Sequence, residues 1–356
     1  MRSLLNCVEY SSNVSIGLAA ALTIPIPGYS DTFAAIPLVL GGLTVGMSHG
    51  AADWFLIRRS SSNSRFHIWG RLIAYMTIMA AMVAWWLIHS ASVLVAFLLL
   101  TMVHFGSEEA DHWHTREPLL NKRRSRLLFV FGHGLLAIIL PVLWHPSESE
   151  AFLSRVLAVG FSDPAVAYGL IPDSIAIRCA VTIAAVACCL WIFYELVGVR
   201  TGSPKRDGLR LSGMAGRLFE WRRPANWTAQ TAVLAIAGYL LNPEFFIGLY
   251  LLVWHAPRHY LNLIHSSLRE RSVLWRDTMV FQIPAVAVVI VLAWTGFQSS
   301  DLTALTATSA AVVLTYLVVT PPHHLLQESR RLRQASSTKR VARYRSWKNR
   351  PFSSSS

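Results

Sequence analysis

Four short runs combine histidine with carboxylate or with a second histidine inside otherwise apolar stretches. They are Gly46-Met47-Ser48-His49-Gly50-Ala51-Ala52-Asp53-Trp54 and Val103-His104-Phe105-Gly106-Ser107-Glu108-Glu109-Ala110-Asp111, then Trp254-His255-Ala256-Pro257-Arg258-His259 and Pro321-Pro322-His323-His324. His49 and Asp53, His104 and Glu108, and His255 and His259 are each four residues apart. On a helix that spacing stacks two side chains on one face, a turn apart. Two such imidazoles can bind one metal ion, and a carboxylate at the same distance can orient a ligating imidazole. An imidazole-rich site suits iron, copper or zinc, whereas Mg²⁺ and Ca²⁺ demand more oxygen ligands. Ionisable groups in a lipid-buried helix are costly, so their presence marks function.

The elements that must carry these residues are membrane spans. Of 356 residues, 53% are hydrophobic and 14% charged, against about 25% charged in a soluble domain. Apolar runs of the length a bilayer requires fall at 33–57, 68–89, 91–113, 127–144, 175–198, 226–241, 244–265, 278–297 and 302–326. A further run near the N-terminus, 14–28, is a candidate extra span, whereas 151–171, broken by Asp163 and Pro164, reads as an interfacial or re-entrant helix. The fold class expected is all-α, a polytopic transmembrane bundle of about eight to ten spans. Its parts are an N-terminal segment 1–32, a catalytic bundle 33–326 and a basic, disordered tail 327–356. The cysteines form no Cys-x-x-Cys pair, which argues against a thiolate zinc site or a disulfide framework.

The formal net charge of +13 would suggest nucleic acid in a soluble chain, but here it reads as loops facing anionic lipid, and no nucleic-acid partner is expected. Basic connections at 58–65, 116–126, 200–223 and 269–276 alternate with neutral or acidic ones, which puts the basic side and the C-terminus in the cytoplasm of a plasma-membrane protein. His49 lies nine positions before Arg58, about 13 Å of helix rise. His104, His133, His255, His259, His323 and His324 map to the same, cytoplasmic half, while His89 and His145 map to the opposite face. Arg258 is the arginine inside the cluster, suited to bonding Glu108, Glu109 or Asp53 or to reaching the surface. Gly46, Gly50 and Gly106 border the histidines and permit close helix approach. On these features alone, a membrane di-iron desaturase or hydroxylase, a haem-binding cytochrome and a transporter remain alternatives. A rhodopsin is disfavoured because Lys122, Lys205, Lys339 and Lys348 all lie in loops or tail.

At these motifs the chain resembles the Brp/Blh-like membrane β-carotene 15,15′-dioxygenase family. That family's His-Gly-Ala-x-Asp matches His49 to Asp53, and its His-Phe-Gly with following acids is similar to His104-Phe105-Gly106 with Glu108, Glu109 and Asp111. Its Trp-His-x-x-Arg-His resembles Trp254 to His259, and its late Pro-His resembles Pro322-His323. Ser48 stands where the family has proline. The resemblance implies an iron(II) enzyme that uses dioxygen to cleave the central double bond of β-carotene, a lipid-soluble partner, into two retinals. It carries His49, His104, His255 and His259 over as iron ligands; Asp53, Glu108, Arg258, His323 and His133 read from their positions as orienting groups or alternative ligands.

Overall fold

The computed structural model describes residues 2–23, 25–26, 28–60, 65–114, 123–201, 214–266 and 271–348. Among them there is no strand, and helices dominate: α1 (Arg2–Leu22), α2 (Ala35–Arg59), α3 (Arg65–His114), α4 (Arg123–Trp144), α5 (Pro146–Val159), α6 (Ile175–Thr201), α7 (Met214–Leu240), α8 (243–266), α9 (Arg271–Ser299) and α10 (Ala304–Lys348). Six of these, α2, α3, α4, α6, α9 and α10, are long and apolar enough to cross a membrane. The protein is therefore an all-α, polytopic helix bundle. The apolar core of α4 is 67% buried and that of α6 only 11%. Since Ile183, Leu190 and Tyr194 of α6 are exposed, α6 lies at the periphery of the bundle.

The expected runs 68–89 and 91–113 form the two helical legs of α3, which meet at a sharp break at His89 (φ −155°, ψ 73°). His89 caps the second leg: its Nδ1 accepts from the Ser92 amide at 3.2 Å and its carbonyl from the Ser92 hydroxyl at 2.9 Å. The legs fold back on each other. Tyr75 bonds Asp53, Asp53 bonds His323, and His323 lies 5.0 Å from the ring of His104, whereas a straight helix would hold Tyr75 and His104 about 40 Å apart. The runs 226–241 and 244–265 are helical as parts of α7 and α8, outside the six long apolar helices. The 151–171 stretch forms the end of α5 and a single 3₁₀ turn, Pro164–Ala167, whose apolar residues Leu153, Val156, Leu157 and Ala167 are buried against the bundle. In the N-terminal segment, α1 packs along α7 and α8, with Ile16 wholly buried and Ser12 Oγ donating to the Val253 carbonyl at 2.5 Å.

Two features bring the helices close enough to build a site. α3 and α4 meet at reciprocal glycines: a Cβ on Gly106 would lie 2.0 Å from the Val130 carbonyl oxygen, and one on Gly134 would lie 2.2 Å from that of Met102. Backbone cannot yield there as a side chain end can. Gly106→Ala is therefore expected to destabilise the bundle by at least about 1–3 kcal/mol. Gly70→Ala, in open space on the first leg of α3, should leave the unfolding midpoint of the detergent-solubilised protein unchanged. The second feature is a set of π-helical turns at Gly42–Gly46, Leu135–Ile139 and Tyr250–His255. Such turns insert a residue into a helix, re-aim the side chains beyond it, and concentrate at functional sites. One precedes His49, one comes after His133, and one ends on His255. At the first, Tyr316 of α10 donates to the Gly42 carbonyl at 2.9 Å.

α10 does not stop at the expected span end of 326. The same helix runs to Lys348, into the segment expected to be disordered, and 349–356 lie outside the described residues. Helix continuity there reflects a sequence without glycine or proline between His323 and Lys348. Of the 200–223 basic loop, 202–213 lie outside the described residues.

Candidate metal centre

α2, the second leg of α3, α8 and α10 each deliver histidine to one buried point. His49, His104, His255 and His323 are all 3–7% exposed. The His49 ring centre lies 3.9 Å from that of His259, 4.6 Å from His323, 5.2 Å from His255 and 6.0 Å from His104. His104 is 5.3 Å from His255 and 5.6 Å from His324. Ring nitrogens of His49, His104 and His323 come within 4.8 Å of one another, and Nε2 of His49 faces Nε2 of His323 at 2.8 Å. Spacing and depth anticipate the convergence of His49, His104, His255 and His259; His323, expected as an orienting group or alternative, stands inside the cluster.

The carboxylates act across helices, not along them. Asp53 does not bond the His49 ring one turn before it. Both of its oxygens lie 2.8 Å from Nδ1 of His323, and Tyr75 of α3 donates to Oδ2 at 2.9 Å. Glu108 likewise reaches Nδ1 of His259 at 2.7 Å. In both pairs the carboxylate engages Nδ1 and so directs the Nε2 lone pair of the imidazole at the cluster, the arrangement that metal-binding histidines adopt. Nδ1 of His49 and His104 and Nε2 of His255 and His259 are buried and have no hydrogen-bond partner. Buried polar atoms are ordinarily paired. A cation among these rings would satisfy them, so the donor set fits a transition metal favouring nitrogen.

Next to Glu108 on the helix, Glu109 serves a different neighbour. It accepts from Arg258 Nη1 at 2.7 Å, Trp113 Nε1 at 3.0 Å and Trp254 Nε1 at 3.2 Å, while the Arg258 guanidinium lies 4.0 Å above the Trp254 ring. Thus Glu108 binds His259 and Glu109 binds Arg258, a matched pair of contacts that fixes α8 against α3. His133 stands outside the cluster: its Nε2 meets the Tyr250 hydroxyl at 2.8 Å and its ring lies parallel to Phe129. From the basic extension of α10, Arg331 reaches Glu108 at 3.4 Å and the Ser107 carbonyl at 3.2 Å, and also bonds Asp111 and Glu328. Tyr75 and Arg331 carry no signal in the sequence. Tyr75 lies in a plain apolar run, and Arg331 is one of nine basic residues between Arg330 and Arg350.

The cluster forms part of the wall of a cavity of about 530 Å³. His49, His104, His255, His323, Asp53 and Tyr75 line it beside an otherwise largely apolar surface that includes Leu94, Phe97, Ile138, Phe152, Leu251 and Val313. Met76 of α3 and Val280 and Phe281 of α9 line the cavity while being 36–56% exposed on the outer face of the bundle, so the cavity opens sideways there. A test of the Asp53 contact is direct: Asp53→Asn should weaken metal binding about 10–100-fold while leaving the unfolding midpoint nearly unchanged, read by metal titration of the stripped protein.

Comparison with known proteins agrees with this geometry. The sequence profile of the Beta-carotene 15,15′-dioxygenase family matches residues 40–329. A curated protein of Halobacterium salinarum, named as a probable beta-carotene 15,15′-dioxygenase Blh, is 25% identical over 273 residues, covering 73% of this chain and 72% of the relative. No solved structure matches the chain. A match spanning the four histidine-bearing helices, on a bundle whose buried imidazoles border an apolar cavity, places this chain in the β-carotene 15,15′-dioxygenase family of carotenoid-cleaving dioxygenases.

Proposed function

We propose that the protein is an iron(II)-dependent dioxygenase of the plasma membrane that cleaves the central double bond of β-carotene, adding one oxygen atom of O₂ to each carbon and releasing two retinals. The observation that carries this reading is a five-imidazole cluster, four of whose rings line an apolar cavity that opens laterally on the bundle. His49, His104, His255, His259 and His323 would hold the metal, and iron(II) supplies the redox activation of dioxygen that no side chain can provide. Asp53 and Glu108 hold His323 and His259 in the tautomer with Nε2 unprotonated. Glu109 neutralises Arg258, which sits between the two histidines of α8 and would otherwise place an unpaired charge beside the metal.

The remaining contribution is placement. A polyene arriving from the bilayer passes Met76 and Phe281, and the apolar walls fix one double bond against the cluster while excluding water. No acid or base is required, since cleavage of the alkene by O₂ into two aldehydes leaves the proton count unchanged. The metal site lies in the cytoplasmic half, under the basic loops, with α10 ending on that side.

Expression in cells that accumulate β-carotene, followed by chromatography of extracted pigments, tests the reading. Loss of β-carotene with appearance of retinal is the expected result. Unchanged pigment in cells holding membrane-inserted, iron-loaded protein would remove β-carotene as the substrate.

A further inference from the structure

The first leg of α3 turns one face to the cavity. Leu72, Tyr75, Met76 and Met79 line it, at the i, i+3, i+4 and i+7 positions that share one side of a helix. Of these four, Tyr75 alone carries a hydroxyl. A side chain needed only as wall would be served by another leucine or methionine, with no polar group to satisfy. The Tyr75 hydroxyl instead crosses to α2 and donates to Oδ2 of Asp53 at 2.9 Å. Its ring stays in the cavity wall, beside Met76 at the lateral mouth.

That bond decides how Asp53 faces His323. Asp53 is 3% exposed, and both of its oxygens stand 2.8 Å from Nδ1 of His323, which has a single proton to share between them. The last torsion of an aspartate is broad, so the carboxylate held by His323 alone is free to rock and to carry the imidazole with it. Tyr75 pins Oδ2 from a third helix and fixes the plane of the carboxylate. His323 is then held with Nε2 toward Nε2 of His49, 2.8 Å away. We propose that Tyr75 is a positioning residue of the metal centre, acting on His323 through Asp53 by its hydroxyl and on the polyene by its ring. The two actions belong to different atoms of one side chain and can be separated by substitution. This inference deepens the dioxygenase reading and rests on it for the metal and the polyene.

Metal-stripped protein in detergent is titrated anaerobically with Fe(II), and the β-carotene retained on the protein is measured separately, as is the unfolding midpoint. Tyr75→Phe keeps the ring and removes the hydroxyl. It should weaken Fe(II) binding about tenfold, the low end of the range for outer partners of a metal site, and leave β-carotene retention unchanged. Tyr75→Ala should weaken Fe(II) binding as much and also cut retention by about tenfold, the worth of one large apolar contact. Because the hydroxyl acts through Asp53, adding Tyr75→Phe to Asp53→Asn should weaken Fe(II) binding no further, whereas independent actions would multiply. Unchanged Fe(II) affinity in Tyr75→Phe, even with a lowered unfolding midpoint, would overturn the positioning role. So would multiplied losses in the double variant, or retention that changes equally in Tyr75→Phe and Tyr75→Ala. Unsubstituted protein that takes up no Fe(II) would remove the positioning role together with the metal centre. The expected losses in a protein that binds iron and β-carotene but yields no retinal would leave the positioning role standing and count against the dioxygenase reading.

Discussion

His323→Ala is expected to lose iron and to reduce carotenoid cleavage by at least about 100-fold, the upper end of what disturbing even an outer partner of a metal site costs. The reason is geometric. His323 faces His49 nitrogen to nitrogen at 2.8 Å and is held from behind by both oxygens of Asp53. Removing it deprives the cluster of an imidazole and leaves a buried carboxylate with Tyr75 as its remaining hydrogen-bonded neighbour. His89→Ala, at the exposed turn between the legs of α3, should leave both metal content and turnover intact. Iron analysis of the two purified variants, alongside retinal production, separates a role in the metal centre from general damage. Full iron occupancy and unaltered turnover in His323→Ala would confine the site to the motif histidines of α2, α3 and α8.

The second large effect expected is a loss of stability at Glu109. Glu109→Ala leaves the guanidinium of Arg258, 3% exposed, without its carboxylate, and removes one hydrogen bond each from the indoles of Trp113 and Trp254. Breaking a buried pair from one side costs about 3–5 kcal/mol. Because Arg258 lies between His255 and His259, the loosened helix should also release metal. Replacing both partners, Glu109→Leu with Arg258→Met, should recover most of the stability, since no charge is then stranded. Denaturation midpoints of the single and double variants in detergent measure this; a double variant no more stable than Glu109→Ala would show that packing of α8, not charge, sets the cost.

The chemistry is legible in the sequence before the fold is. Histidines at one depth in separate apolar runs point to one site because a charged or titratable group in lipid needs a reason to be there. Hence His49, His104, His255 and His259 can be grouped without any knowledge of helix packing. The i, i+4 spacing misleads in one respect. It suggests that Asp53 and Glu108 steady the histidine on their own helix, whereas each bonds a histidine from another, His323 and His259. Spacing reports which residues share a face, and cannot report what that face meets. The π-turns before His49 and at Tyr250–His255 also shift the register that a 3.6-residue period assumes.

Charge counting hides Arg331 within a uniformly basic segment, although it returns to Glu108 and Asp111. Hydropathy finds the two legs of α3 but not their direct junction, since His89 needs only one non-helical residue to turn the chain. Glu244 reads from sequence as one acid in a non-basic connection. Its burial against Arg155 and Ser309 depends on α5 and α10, which lie far from it in sequence.

If the imidazole cluster binds iron and that iron drives central cleavage, activity must follow the metal. The decisive experiment titrates metal-stripped protein in detergent anaerobically with Fe(II), supplies β-carotene and then admits O₂. Activity should rise to saturation at one iron per chain and yield two retinals per β-carotene consumed. Turnover by the stripped protein without added iron, or saturation of the metal with no retinal formed, would contradict the assignment.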